Sequence, residues 1–429
     1  METIKVKYKI IPKCKKKLTE IMDTICRDIS WGTSIPELSA AKNSIQKDKQ
    51  LGKYNPDYYQ PSYTIDPDGL IEVEFKAKMF NFEREGMNHF IGTIAGDITT
   101  NNDIEKIEIV DIIFDKSNLN NFFKGPTSGI DILKNEILAP TLEGKNRPIV
   151  AFTVKPRLGL TINQYKQIIE EASMSDIDII EDDERLVDPD YCLFKDRVKV
   201  IGEVIKKGCK SKFSVNITGN PDLLEEKIEY AYDTGIRIFK LDVLVSGFDV
   251  LIKLRNILEK YPEKTAITVF PDIKSYRNIR RDVILKLSRL CGGDIIYAGS
   301  TILSRMGTIE NPDEIIAQDI PKLIHTHRTL SESIGNIDKR TLPSMTHDIN
   351  LKNVELLIYG MRIYQHHDYA LFIGGGISGF PYEYSIKKSC ELWMKMIKHA
   401  SEVSLQGKKY IKEINDETFF NLDNEIDCL

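Results

Sequence analysis

The sequence predicts an α/β protein in which a C-terminal (β/α)8 TIM barrel follows a smaller α+β domain. Two observations predict it. From about residue 147, short apolar strands alternate with amphipathic helical stretches, eight times in about 255 residues, the unit count of a parallel barrel. Before that point strands and helices follow no regular order, as in a sheet covered on one face. A doubly wound open sheet is the competing arrangement for the regular part, and the count of eight favours closure. With 429 residues the chain has room for both parts, divided at 1–140 and 141–429.

In the first part, IKVKYKII alternates as a strand and CKKKLTEIMDTICRDI has helical periodicity. LIEVEFKAKMF is a second strand, GMNHFIGTIAGDI an apolar helix running into a turn, and IEKIEIVDIIF a third strand. Residues 42–69, polar and holding three prolines, read as a long loop.

The repeating part opens with RPIVAFTVKP and the helix TINQYKQIIEEASM. DIDIIEDDE, KFSVNITG, RIFKLDVLV, TAITVFPD, DIIYAGS, RTLPSMTHDI and YALFIGGG are the next seven strands, each with a helical stretch behind it. The tail from about residue 408 reads as a terminal helix and an acidic end.

Composition narrows the function. The chain has 59 basic and 64 acidic residues, a formal charge of −5, so no basic stripe marks it as a nucleic-acid binder. No apolar run approaches the roughly 18 residues of a membrane span, and the start lacks a signal-peptide core. Seven scattered cysteines with no CxxC pair fit free thiols in a reducing cytoplasm. His325, His327, His366 and His367 have no acid or cysteine partners at a zinc spacing.

In a barrel the chemistry sits at the C-terminal ends of the strands. Those ends carry Lys155 and Arg157; Glu181, Asp182, Asp183 and Glu184; Asn216; Lys240 and Asp242; Phe270, Pro271 and Asp272; Tyr297 and Ser300; Thr346, His347 and Asp348; and Gly374, Gly375 and Gly376. Alternation turns Glu181 and Asp183 one way and Asp182 the other, and Glu184 can turn inward as the strand ends. Converging carboxylates repel unless a cation or proton joins them. Mg2+ on Glu181, Asp183 and Glu184 is one reading, and a solvated acidic loop is the other. Gly374–Gly376 suit a phosphate at a strand-to-helix turn, or simply a tight turn. Lys155 is a candidate proton carrier, or an ion-pair partner of the acids.

These motifs resemble the RuBisCO large-subunit family. FKGPTSGI leads into the barrel, VAFTVKPRLGL resembles the family's TxKPxLGL first strand, and DIDIIEDDE its FxKDDE second strand. GFDVL, FIGGGISGFP, DISWGTS and IAGDI resemble further segments in the same order. The resemblance implies a ferredoxin-like N-terminal domain, a catalytic barrel and a head-to-tail homodimer. In that dimer Asp28, Gly32, Thr33 and Asp97 act across the interface on the other copy's site. It also implies roles for Lys155 in proton transfer, with Arg157 and Asn216 as further catalytic residues. Gly374, Gly375, Gly376 and Thr346 would lie at the substrate, with Gly32 and Thr33 at its phosphate.

The departures from the pattern shape the expected activity. Where carboxylating members carry the lysine that CO2 carbamylates, this chain has Glu181, which cannot be carbamylated. Ser304 stands in place of the lysine of the loop after the sixth strand, followed by Arg305. Phe270 and Pro271 replace a His-Arg pair, Tyr297 a phosphate-binding histidine, and Thr346–Asp348 a Ser-Gly-Gly. The pattern resembles the non-carboxylating, form IV RuBisCO-like proteins. It implies a Mg2+-assisted enolase or isomerase acting on one phosphorylated keto-sugar metabolite, of methionine-salvage or sugar-acid type. A catalytically degenerate binding or regulatory homodimer is the alternative, with CO2 fixation well behind.

Overall fold

The computed structural model describes residues 2–13, 17–33, 56–96, 98, 101–271, 278–299, 315–346, 349–351, 353–379 and 385–405. The N-terminal domain runs β1 (Thr3–Pro12), α1 (Leu18–Trp31), β2 (Ser62–Ile65), β3 (Ile71–Lys76), α2 (Asn88–Ala95) and β4 (Ile104–Phe114). Its sheet has the order β2-β3-β1-β4 with all neighbours antiparallel, the ferredoxin-like arrangement. Period-two alternation decides the faces. Ile4, Val6, Tyr8, Ile71, Val73 and Phe75 are buried in the core that α1 and α2 share through Ile21, Met22, Ile25, Phe90 and Ile94. On the other face Lys5 meets Glu72 at 2.7 Å.

Two elements differ from the sequence expectation. The strand expected over LIEVEFKAKMF ends at Lys76, and a 3-10 turn covers Ala77–Met79. The stretch expected to be one long loop contains β2 and a helical turn at Pro56–Tyr59. SYTI is too short to announce itself. It becomes a strand through its pairing with β3, from Ser62 opposite Glu74 to Ile65 opposite Ile71.

The repeating region closes into a barrel of eight parallel strands, so the open-sheet alternative is excluded. The strands are β5 (Ile149–Thr153), β6 (Ile179–Glu181), β7 (Lys212–Asn216), β8 (Ile238–Asp242), β9 (Ala266–Phe270), β10 (Ile295–Tyr297), β11 (Leu342–Met345) and β12 (Ala370–Ile373), with β12 pairing back onto β5. The outer helices include α3 (Ile162–Ser173), α4 (Phe194–Lys206), α5 (Leu224–Asp233), α6 (Phe248–Leu258), α7 (Arg281–Leu290), α8 (Ile320–Arg328), α9 (Val354–Ile363) and α10 (Ile386–Leu405). Thr161 starts α3 with a full capping box to Gln164, as the sequence order Thr-x-x-Gln allows.

The barrel interior is layered. Ile149, Ile179, Ile238, Ala266, Ile295, Leu342 and Ala370 form an apolar floor. The segment entering the barrel closes that floor from below with Ile130, Leu133, Ile137 and Leu138. Above it the layer turns polar, and there the site lies.

The two domains are joined by specific bonds. Asp249, in the first turn of α6, accepts from the backbone N–H of Met87 (2.5 Å) and of Asn88 (3.1 Å). Gly86 has φ +68°, and a Cβ there would overlap the Asp249 carboxylate, so both conformation and space require glycine. The Ile109 N–H donates to the Asn278 carbonyl (2.7 Å), and Ile109 O accepts from Arg280 N (2.9 Å).

Candidate active site

The run Glu181–Glu184 lies at the C-terminal end of β6, and the structure divides its four carboxylates between separate partners. Asp182 points behind the strand, as alternation requires. There it accepts from the Tyr165 hydroxyl (2.8 Å), the Arg197 Nε (3.3 Å) and the Asn216 N–H (3.1 Å). Arg197 is itself fully buried and donates to the carbonyls of Cys192, Leu186 and Val187. Asp182 therefore anchors the loop after β6 to α3 and α4.

The other three carboxylates face the mouth, each with a cation. Glu181 is fully buried and takes the Lys240 ammonium on Oε1 at 2.6 Å, the Tyr297 hydroxyl on the same oxygen, and the Ser214 hydroxyl on Oε2 at 3.0 Å. Asp183, also fully buried, is ion-paired to Lys155 and lies 3.6 Å from the Arg157 Nε. Glu184 is 3.3 Å from the Arg157 Nη2 and 3.5 Å from the Lys240 Nζ.

Lys240 is the strand-end residue to which sequence reasoning gave no role. It rises from the middle of β8, has no exposed surface, and donates also to the Asp182 carbonyl at 3.0 Å. Burial alone would lower its pKa, but the fields of Glu181, Glu184 and Asp183 together raise it, so it is an ammonium. Burial raises the Glu181 carboxyl against the pull of Lys240, whereas at Glu184 the fields of Lys240, Lys155 and Arg157 outweigh burial and hold its carboxyl low. Burial, then Glu181, pushes the Tyr297 phenol far up, so it remains a neutral donor. The signal in the sequence was a lysine inside the otherwise apolar run RIFKLDV. A lysine in a buried parallel strand survives only when paired.

These contacts bear on the expected Mg2+. Glu181, Asp183 and Glu184 do not fit a divalent ion as arranged, because cationic side chains already occupy the directions in which they face. A divalent ion about 4 Å from the Lys240 ammonium would meet roughly 8 kcal/mol of repulsion at an effective dielectric of 20, twice the figure for a pair of unit charges. Among the described residues, no group of three or more His, Cys, Asp or Glu side chains is placed to hold a metal. Where the sequence reading gathers Glu181, Asp183 and Glu184 around Mg2+, the structure shows them in lysine and arginine ion pairs.

Lys155 and Arg157 remain reachable from solvent, with side chains 25% and 49% exposed. The Lys155 chain lies over Gly374, where a Cβ would come within 2.9 Å of its Cε. Asn216 is fully buried, and its amide is spent on the carbonyls of Asp183 (3.1 Å), Glu184 (2.9 Å) and Leu186 (3.3 Å). It thereby holds the loop after β6 in place. Among the terminal glycines, Gly375 faces open space. Gly376 is required by packing, since a Cβ would run into Trp393, whose indole N–H donates to the Gly376 carbonyl at 3.1 Å. Thr346 is half-buried beyond the end of β11.

Asp28 lies in α1, and its carbonyl accepts from the N–H of Gly32, the left-handed C-cap of that helix with φ +68°. Thr33 follows it. Asp97, Asp272, Ser300, Ser304, Arg305, His347 and Asp348 lie outside the described residues. No described helix is long and apolar enough to cross a membrane.

Phe270 and Tyr297 pack edge to face at 5.2 Å between centroids, Tyr297 and Phe372 at 4.9 Å. Lys240 lies over the Tyr297 ring at 4.9 Å. An aromatic cluster from β9, β10 and β12 thus stands beside Lys240.

Residues 136–421 match the model of the ribulose bisphosphate carboxylase large chain catalytic domain, and residues 2–117 that of its N-terminal domain. A ribulose bisphosphate carboxylase of Thermococcus kodakarensis is 24% identical over 334 residues, covering 73% of this chain and 71% of that protein. One from Methanocaldococcus jannaschii is 26% identical over 259 residues, 59% of each. Among solved structures, the octameric enzyme of Pyrococcus horikoshii OT3 superposes with a TM-score of 0.73 at 19% identity, covering 95% of this chain and 88% of that one. The dimeric archaeal Rubisco of Hyperthermus butylicus gives 0.72 at 21% identity, covering 95% and 91%.

Proposed function

The chain belongs to the ribulose bisphosphate carboxylase large-chain family, and on that footing we propose that it is a RuBisCO-like enolase or isomerase acting on a phosphorylated keto-sugar. The observation that carries the reading is Lys155, a partly exposed amine held at the mouth by the fully buried Asp183. The step requires the Lys155 amine unprotonated; it then takes the proton from the carbon next to the substrate carbonyl and becomes an ammonium. The negative charge that develops on the carbonyl oxygen falls to the Arg157 guanidinium beside it. Return of the proton to the adjacent carbon completes an isomerisation, and its return to the same carbon completes a solvent exchange.

Gly374 and Gly375, with Thr346 from the neighbouring strand end, receive the phosphate on this reading. The protein works as a dimer-based oligomer, in which Asp28, Gly32, Thr33 and Asp97 of one copy complete the mouth of the other. Dimeric and octameric assemblies among the structural neighbours support this. The glutamate at position 181 supports a non-carboxylating chemistry, since its carboxylate cannot form a carbamate. The ion pairs of the mouth remove the Mg2+ from the proposal.

The test is deuterium wash-in from D2O into phosphorylated keto-sugars, read by mass spectrometry. Wild type exchanges one carbon-bound hydrogen, and Lys155→Ala slows that exchange by about 10²–10⁴-fold. Unchanged exchange in Lys155→Ala would falsify the assignment. A second reading, a binding or regulatory homodimer without turnover, is favoured by the closed Glu181–Lys240–Tyr297 cluster at the centre of the mouth. Absence of exchange across a panel of such phosphates, with the dimer intact, would select it.

A further inference from the structure

We propose that Lys240 is the resident cation of the barrel mouth, standing where its carboxylates would otherwise gather a divalent ion, so that this chain binds no such ion there. The ammonium is surrounded by oxygen: Glu181 Oε1 at 2.6 Å, the Asp182 carbonyl at 3.0 Å, the Tyr297 hydroxyl at 3.4 Å and Glu184 Oε2 at 3.5 Å. An all-oxygen shell from two carboxylates, a carbonyl and a hydroxyl is the kind a hard cation takes. Here a covalently tethered –NH3+ fills it, within hydrogen-bonding range of all four oxygens.

Charge balance leads to the same assignment. The mouth holds three carboxylates, Glu181, Asp183 and Glu184, against three cations, Lys155, Arg157 and Lys240. These charges cancel. A divalent ion added to this set would leave an excess of +2 at the mouth, and it would have to displace an ammonium that is tethered to β8 and fully buried. Tyr297 secures the arrangement from the other side. Its hydroxyl donates to Glu181, and its ring face lies under the same ammonium. The cluster therefore has its cation without recruiting a metal ion.

The proposal stands apart from the enolase reading. It would survive if no keto-sugar exchanged a proton, and Lys155 could fail as a base without touching it. The test is a Mn2+ titration of the full-length protein followed by electron paramagnetic resonance, with thermal unfolding in parallel. Wild type is expected to leave the free-Mn2+ signal undiminished and its unfolding midpoint unmoved. Lys240→Ala is expected to take up one Mn2+ per chain, to gain midpoint with Mn2+, and to lose both effects when Glu184→Gln is added. Wild-type uptake of one Mn2+ per chain that Glu184→Gln abolishes would overturn the proposal, as would a folded Lys240→Ala that takes none. Wild-type uptake indifferent to Glu184→Gln places the ion elsewhere and leaves the proposal standing. Where Lys240→Ala does not fold, the wild-type titration and its Glu184→Gln control decide alone.

Discussion

The barrel buries carboxylates at both ends and satisfies them by different means. At the floor, Asp178 takes a two-pronged bond from Arg147 (2.6 and 3.0 Å) and the Val150 N–H (2.8 Å). Asp294 takes the N–H groups of Ser128 (2.7 Å), Gly129 (2.6 Å) and Ile267 (2.8 Å). Most of these donors are backbone, fixed in place and unable to give up a proton. At the mouth, the donors to Glu181, Asp183 and Glu184 are largely side chains: two lysines, an arginine, a tyrosine and a serine. Backbone donors tie the linker segment to the strands and hold the architecture. Lysine and tyrosine donors can exchange protons, which is what a reaction centre needs. Charge at the floor is structural, and charge at the mouth is available for chemistry.

Four changes put that contrast at risk. Lys240→Met leaves Glu181 buried without its cation, and such a broken pair costs about 3–5 kcal/mol. Thermal or urea unfolding should show that loss, and adding Glu181→Leu should recover most of it by removing the stranded charge. If the single variant is as stable as wild type, the ion pair is not what holds the mouth together.

Lys155→Ala should slow proton exchange by about 10²–10⁴-fold. Its unfolding midpoint should barely move, because the lysine is partly exposed and Asp183 keeps the Arg185 N–H at 2.9 Å and Arg157. A large stability loss with exchange intact would make Lys155 structural, like the floor residues.

Asp294 tests the floor through pH. Burial pushes its carboxyl from 3.8 up to about 6 against the three N–H bonds. The folded chain then holds this proton more tightly than the unfolded one. Its contribution to stability is full below the unfolded value and is lost as pH rises through the folded value. The stability difference between wild type and Asp294→Asn should therefore shift in favour of the variant between about pH 4 and 6, by roughly 3 kcal/mol for a two-unit shift. The variant's amide, facing the Ile267 N–H, adds only a constant offset. Denaturant titrations across that range measure the slope, and a flat difference would mean that the backbone donors keep Asp294 ionised.

Gly32→Ala should have the smallest effect, about 1 kcal/mol, from strain at a left-handed C-cap with open space around it. Exchange slowed well beyond that stability loss would place Gly32 at a substrate, as the dimer proposal requires.

Much of this was legible in the sequence. The eight strands could be read because parallel barrel strands are buried on both faces and appear as short apolar runs. The orientation of Asp182 could be read because alternation is a property of the backbone. β2 could not, since its four residues become a strand only beside β3. The packing need at Gly376 could not be read either, because nothing in its neighbourhood along the chain announces Trp393, which arrives from α10 and leaves room only for glycine. The bonds of Asn216 could not be read for the same reason, its three carbonyl partners lying some thirty residues earlier.

By itself, then, the sequence determined the two-domain order, the barrel and the strand end that carries the acids, all of which follow from local periodicity. It also determined that position 181 carries a carboxylate and not an amine. Only the tertiary structure decided what those acids bind. Lys240 is 59 residues from Glu181 along the chain, and closure of the barrel, with β8 one strand beyond β7, brings the two within 2.6 Å. Charge pairing depends on distance in space, and composition alone left the choice between a metal ion and a lysine open.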